Sequence, residues 1–238
     1  RAIMRALGNG AAAKQLNSMM PQSKGKVAMM IHTEAAAYTE MYFGPGRETN
    51  GVVVVVTIGK GMGTVTYNLG QKVRNADLKH LTWTYERELG KLHDKYDWSG
   101  VAPLLSKEAE EEVVEILARS PPETPLFNAG RGGANPFHEC QLKEVQGFES
   151  VLAWAGLIDK YLQKIASKVK PEQIILLTTG AAANLPEELL LLLLRPGIVA
   201  AGLNPNSLVI GDFPDRALVK GVAVGAHLEL GRRQAAEI

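Results

Sequence analysis

Five consecutive valines, Val52 to Val56, stand between Gly51 and Thr57. A β-branched run of this kind is stiff at χ1 and packs well on a pleated surface. No polar residue alternates with the valines, so both faces of the strand must be covered, which calls for a layered fold around a central sheet. Thr64 to Asn68 alternates and forms a second strand, joined to the first by a glycine-rich link as a hairpin. Leu69-Gly70 then turns the chain into a third short strand near Lys72 and Val73.

Helical patterns surround these strands. Lys26 to Ile31 reads as a short buried strand, and Ala2 to Met20 before it as a helix interrupted by Gly8 and Gly10. Thr33 to Phe43 is rich in helix formers and is ended by Gly44-Pro45-Gly46. Ser106 to Ala118 is an acidic helix with one apolar stripe of Val113, Val114, Ile116 and Leu117, and Ser106 is placed to cap it. Ser120 to Phe137 lacks periodicity and reads as a long loop or insertion. Apolar residues recur at helical spacing from Glu149 to Lys170, and Pro171 stops that helix. Ile174 to Leu177 is a buried strand, Leu185 to Leu194 a helix, Leu208 to Ile210 a strand, and Ala217 to Leu228 a helix of small residues. Strands, glycine turns and helices alternate, so the class is α/β with a mixed sheet.

Composition narrows the function classes. The chain has 238 residues, 46% apolar and 21% charged, enough for one large domain or two small ones. Lys and Arg number 26 against 25 acidic residues, a balance that argues against general nucleic-acid binding. The single cysteine, Cys140, excludes an internal disulfide framework and a cysteine-rich zinc site. The longest apolar stretch, Leu185 to Leu194, is too short for a membrane span. From Arg1 to Thr33 there are five basic residues and no acidic one, the bias of a plastid or mitochondrial transit peptide. A basic amphipathic helix at a domain edge in a cytoplasmic protein has the same bias.

Two segments carry chemistry-bearing patterns. In Gly59-Lys60-Gly61-Met62-Gly63-Thr64, glycines at alternate positions let several N–H groups converge on a phosphate oxygen, with Lys60 adding charge and Thr64 a hydroxyl. A plain hairpin turn has the same composition, and no Gly-Lys-Ser/Thr opens a helix after it. Asp77 and His80 lie three residues apart, a spacing that suits adjacent sugar hydroxyls, though spacing alone favours a polar loop leading into Trp83. The five histidines, His32, His80, His93, His138 and His227, show no metal-ligand spacing. Gly130-Arg131-Gly132-Gly133 suits an anion or a flexible surface loop.

Val27 to Arg47, Val52 to Leu81 and Trp154 to Gly180 together resemble, in order, the polyphosphate glucokinases of the ROK sugar-kinase family. That family carries a strand followed by Asn-Asp-Ala-Asp-Ala-Ala, then Ala-Glu-Met and Phe-Gly-x-Gly-Lys/Arg. It continues with Leu-Thr-Leu-Gly-Thr-Gly-Ile-Gly-Thr, Asn-Thr-Glu-Leu-Gly-His-Leu, and a strand ending in Gly-Gly-Gly. The resemblance implies a ribonuclease-H-like, actin-like ATPase lobe. Residues 1–50 would be a remnant of a first lobe with the interlobe helix, the rest of that lobe being partly or wholly missing. Residues 51–238 would form the second lobe, with an insertion at about 100–150.

Carried over residue by residue, the resemblance places His32 at the family's catalytic aspartate. Gly59, Lys60, Gly61, Gly63 and Thr64 fall in the phosphate loop, Asp77 and His80 in the sugar-binding segment, and Thr178, Thr179 and Gly180 at the nucleotide-side triple glycine. Several of these differ from the pattern, and the family's opening Asp-x-Gly-Gly-Thr hairpin has no counterpart in these residues. The expectation is a catalytically degenerate ROK homologue serving as a structural or regulatory subunit, with protein partners docking through the 100–150 insertion in a homo- or hetero-oligomer. No resident cofactor or metal is expected. The alternative is an active glucokinase phosphorylating the 6-hydroxyl of glucose, using Mg²⁺ with ATP or polyphosphate.

Overall fold

The valine run becomes the middle strand of a five-stranded sheet. The computed structural model describes residues 31–58, 62–73, 78, 105–119, 145–178, 183, 185–211 and 220–228. In chain order the elements are α1 (His32–Phe43), β1 (Val52–Ile58), β2 (Met62–Asn68), β3 (Gln71–Lys72), α2 (Lys107–Arg119), α3 (Val145–Val169), β4 (Gln173–Thr178), α4 (Glu187–Ala200) and β5 (Leu208–Ile210). A last helical segment, α5, covers 220–228. The strand order is β3-β2-β1-β4-β5. β1 pairs with β2 antiparallel, from Val52 opposite Asn68 to Ile58 opposite Met62. On its other side it pairs with β4 in parallel, from Val53 opposite Gln173 to Ile58 opposite Thr178. β5 continues the parallel half beside β4.

Successive side chains of a strand point to opposite faces, so the valines divide between two cores. Val54, Val56 and Ile58 join Trp154, Ile158, Tyr161 and Leu162 of α3 and Leu190, Leu193 and Leu194 of α4. Val53 and Val55 face Ala36, Ala37 and Met41 of α1, with Tyr67, Ile175 and Leu177. That α1 is covered along most of its length follows from its small residues. Ala35, Ala36 and Ala37 allow close approach, and at Gly221 a Cβ would run into the Ala35 backbone and sit 2.7 Å from Thr39 Oγ1. Helix α5 therefore crosses α1 at a glycine contact, with Lys220 Nζ 5.8 Å above the Phe43 ring.

Most expected elements form where the pattern places them, with three corrections. Helix α3 begins at Val145 rather than Glu149, because its first turn, which contains Gly147, precedes the apolar period. Helix α4 runs from Glu187 to Ala200 rather than from Leu185 to Leu194. Pro196 removes one amide donor, but Leu193, Leu194, Gly197 and Ile198 are buried on either side of it, and that packing carries the helix through. Ser106 Oγ does accept from the Ala109 amide at 3.2 Å as a cap. The stripe of α2 is narrower than expected, since Val113 and Ile116 are buried while Val114 is 60% exposed. The last helix forms as expected over 220–228, with 217–219 outside the described residues. So are the expected strand and helix before Ile31 and the loop from Ser120 to Phe137.

Candidate functional site

Strands β1, β4 and β5 are parallel, so their carboxyl ends open on one edge of the sheet, where ligands of open α/β sheets generally bind. The amino end of α1 lies on the same edge. Thr33, the second residue of α1, shares a 2.8 Å hydrogen bond through Oγ1 with Oγ1 of Thr57 near the end of β1. Both threonines are buried, and Thr57 stands opposite Gly63 of β2. A Cβ at Gly63 would run into Thr33 Oγ1 and lie 2.7 Å from Thr57 Oγ1. Gly63 is therefore a close-approach glycine that lets α1 seat on the hairpin.

This geometry brings several of the expected residues together. His32 is the first residue of α1, is exposed, and directly precedes the threonine that touches the hairpin. Ile31 at the N-cap offers no side-chain acceptor, and its carbonyl takes the Glu34 and Ala35 amides at 3.0 and 3.1 Å. Thr64 pairs with Val56, two positions in from the end of the ladder. Thr178 ends β4 opposite Ile58 and is buried, so a side chain fills the place where the resemblance implies a glycine. Gly59, Lys60, Gly61, Asp77, His80, Thr179, Gly180 and the glycine-arginine segment 130–133 lie outside the described residues. Leu78, between Asp77 and His80, is buried in the core shared by α3 and α4.

Sequence reasoning missed Thr33, Thr57 and Glu40. Thr57 is the one polar residue of the seven in β1, a signal that was available. Glu40 is 1% exposed on α1. Its carboxyl lies between two glycines, such that a Cβ at Gly211, just past β5, would sit 2.9 Å from its Oε2. It stands in the segment matching the family's Ala-Glu-Met. On the β3 side, Lys72 forms an ion pair with Glu34 that ties the edge strand to α1. Among the described residues, no group of three or more His, Cys, Asp or Glu is placed to hold a metal ion. No helix among them is long and apolar enough to cross a membrane.

The chain is 28% identical over 78 residues to polyphosphate glucokinase of Mycobacterium leprae (strain TN), covering 31% of this chain and 24% of that one. Against polyphosphate glucokinase of Mycobacterium tuberculosis (strain CDC 1551 / Oshkosh) the identity is 28% over 111 residues, covering 45% and 40%. Over these segments the chain is distantly similar to polyphosphate glucokinases. Its matches span less than half the length of either relative. No family model matches it. In structure it is similar to the ROK hexokinase from Thermus thermophilus, with a TM-score of 0.53 at 17% identity, over 88% of this chain and 69% of that one. A ROK family glucokinase from Streptomyces griseus, solved in complex with glucose and AMPPNP, gives 0.53 at 16% identity over 85% and 68%. The mixed sheet with its flanking helices is thus the actin-like ATPase fold of ROK proteins.

Proposed function

We propose that the chain is a ROK-type sugar-kinase homologue that has given up phosphoryl transfer and acts as a structural or regulatory subunit of a larger assembly. The observation that carries this reading is His32. It opens an otherwise well-packed α1 at the position the resemblance assigns to the catalytic aspartate. Removing a general base typically costs ~10²–10⁴ in rate. Replacing a carboxylate by a ring also moves the accepting atom, and productive geometry tolerates little displacement. The buried Thr178, at the end of β4, adds a side chain where backbone would approach a nucleotide.

Partner contact falls to the 100–150 insertion, whose described helix α2 buries Val113 and Ile116 and exposes Glu108, Glu111, Glu112, Glu115 and Val114. The close fit of Gly63 against Thr33 and Thr57 favours a second reading, an active glucokinase with His32 as base and Lys60 as a phosphate clamp. The two readings separate in one comparison. Glucose 6-phosphate formation by the unaltered chain and by His32→Ala should be equal and at background; a large loss of activity in the variant would establish the kinase.

A further inference from the structure

Asp159 lies mid-helix on α3 within an apolar stripe, where Ala155, Ile158 and Leu162 are all buried. It is itself 5% exposed, and its Oδ1 has no hydrogen-bond partner among the described residues. Isolated buried carboxylates are rare, because an unpaired charge in a low-dielectric interior is strongly disfavoured. The side chain is aimed at α4, since a Cβ at Gly197 would sit 2.5 Å from Asp159 Oδ1 and 2.6 Å from its Cγ. Gly197 is thus the residue that makes room for the carboxyl.

Beside it stands Pro196, inside α4. Proline has no N–H, so the carbonyl four residues earlier, on Leu192, cannot receive the usual helical bond. A buried carboxyl with no donor facing its Oδ1 among the described residues and a partly buried helix with one acceptor to spare complement each other if the carboxyl keeps its proton.

No described cation is placed to stabilise a charge there. On α3, Lys160 is exposed and Lys164 lies over the Tyr161 ring at 4.6 Å. On α4, Glu187 and Glu188 belong to the first turn, and Arg195 has a buried Nε without a partner and makes no ion pair with Asp159. Helix α2 turns Val113 and Ile116 inward, while Glu108, Glu111, Glu112, Glu115 and Arg119 are exposed. β5 contributes Leu208.

We propose that Asp159 is held as a neutral acid that donates its hydrogen bond to the α4 backbone at the Pro196 break, making the α3–α4 joint a proton-dependent pin that weakens in alkali. Desolvation alone raises its pKa from 3.8 to about 8. A carboxyl whose folded pKa lies above its unfolded value keeps its proton only in the folded state between those two pH values, so stability falls as pH rises through that window. Above the folded pKa the charge is buried unpaired, and α4 loses the donor.

The test is denaturant unfolding of the full chain at pH 6 and pH 9, beside Asp159→Asn. This single titration should raise the unfolding constant by roughly a hundredfold across that interval, and the asparagine variant, which keeps shape and a donor, should lack that component. Equal pH dependence in the two proteins overturns the proposal. A second readout needs no variant. Carbon-13 NMR of the Asp159 carboxyl in the native full chain should titrate with a midpoint near 8, and a midpoint in the ordinary carboxylate range near 4 overturns it as well. Neither readout depends on whether the chain phosphorylates glucose.

Discussion

Replacing Gly63 by alanine tests how α1 is seated on the β1–β2 hairpin. The added methyl would run into Thr33 Oγ1, 2.7 Å from Thr57 Oγ1 and 2.9 Å from Thr33 Cβ. Both hydroxyls are buried and bonded to each other at 2.8 Å, so neither can swing into solvent. Overpacking of this sort costs about 1–3 kcal/mol, and loss of the hydroxyl pair about 1 more. Against that, alanine recovers about 0.5–1 kcal/mol of chain entropy in a strand. The net destabilisation is roughly 1–3 kcal/mol, a fall in Tm of roughly 2–12 °C for a chain of this size. Because Thr33 supplies the atom that is struck, Thr33→Ala and Gly63→Ala should not add. In a double-mutant cycle read by denaturant unfolding, the pair should cost at least ~1 kcal/mol less than the sum. Additivity within about 0.5 kcal/mol, or a harmless Gly63→Ala, would refute the contact and with it the placement of His32 beside the hairpin.

Other substitutions probe separate links. Leu69 sits at φ 50° in the β2–β3 turn and is 70% exposed, so Leu69→Asn should raise stability by about 1 kcal/mol, measured as an upward shift in the unfolding midpoint. Ser106→Ala removes the acceptor for the Ala109 amide and should lower stability by about 1 kcal/mol, with amide exchange accelerated in the first turn of α2. Glu34→Gln breaks the pair with Lys72, whose side chains are 19% and 24% exposed; it should cost under about 1 kcal/mol and its effect should shrink at high salt.

How much was legible depends on whether the signal was local. The valine run, its hairpin and α3 announce themselves through period and length, because burial on both faces or on one stripe leaves a direct imprint on residue order. The end of α4 does not. Pro196 reads locally as a stop, and only the burial of Gly197 and Ile198 against other elements, a tertiary fact, overrides it. The site shows the same division. Gly63 stands out as a glycine, but the reason for it is a side chain, Thr33, 30 positions earlier in the chain, which no short window could supply. Asp159 is the opposite case: a carboxylate inside an apolar stripe was visible in the sequence. Its meaning depends on facing Gly197 next to a proline on another helix.

Steady-state formation of glucose 6-phosphate by the unaltered full-length chain, with Mg²⁺ and either ATP or polyphosphate as donor, bears most directly on the claim that scaffold and chemistry have parted. No turnover above the protein-free background is expected with either donor. A rate of about one per second or faster, inside the usual enzyme range, would contradict it and make His32 a working catalytic group.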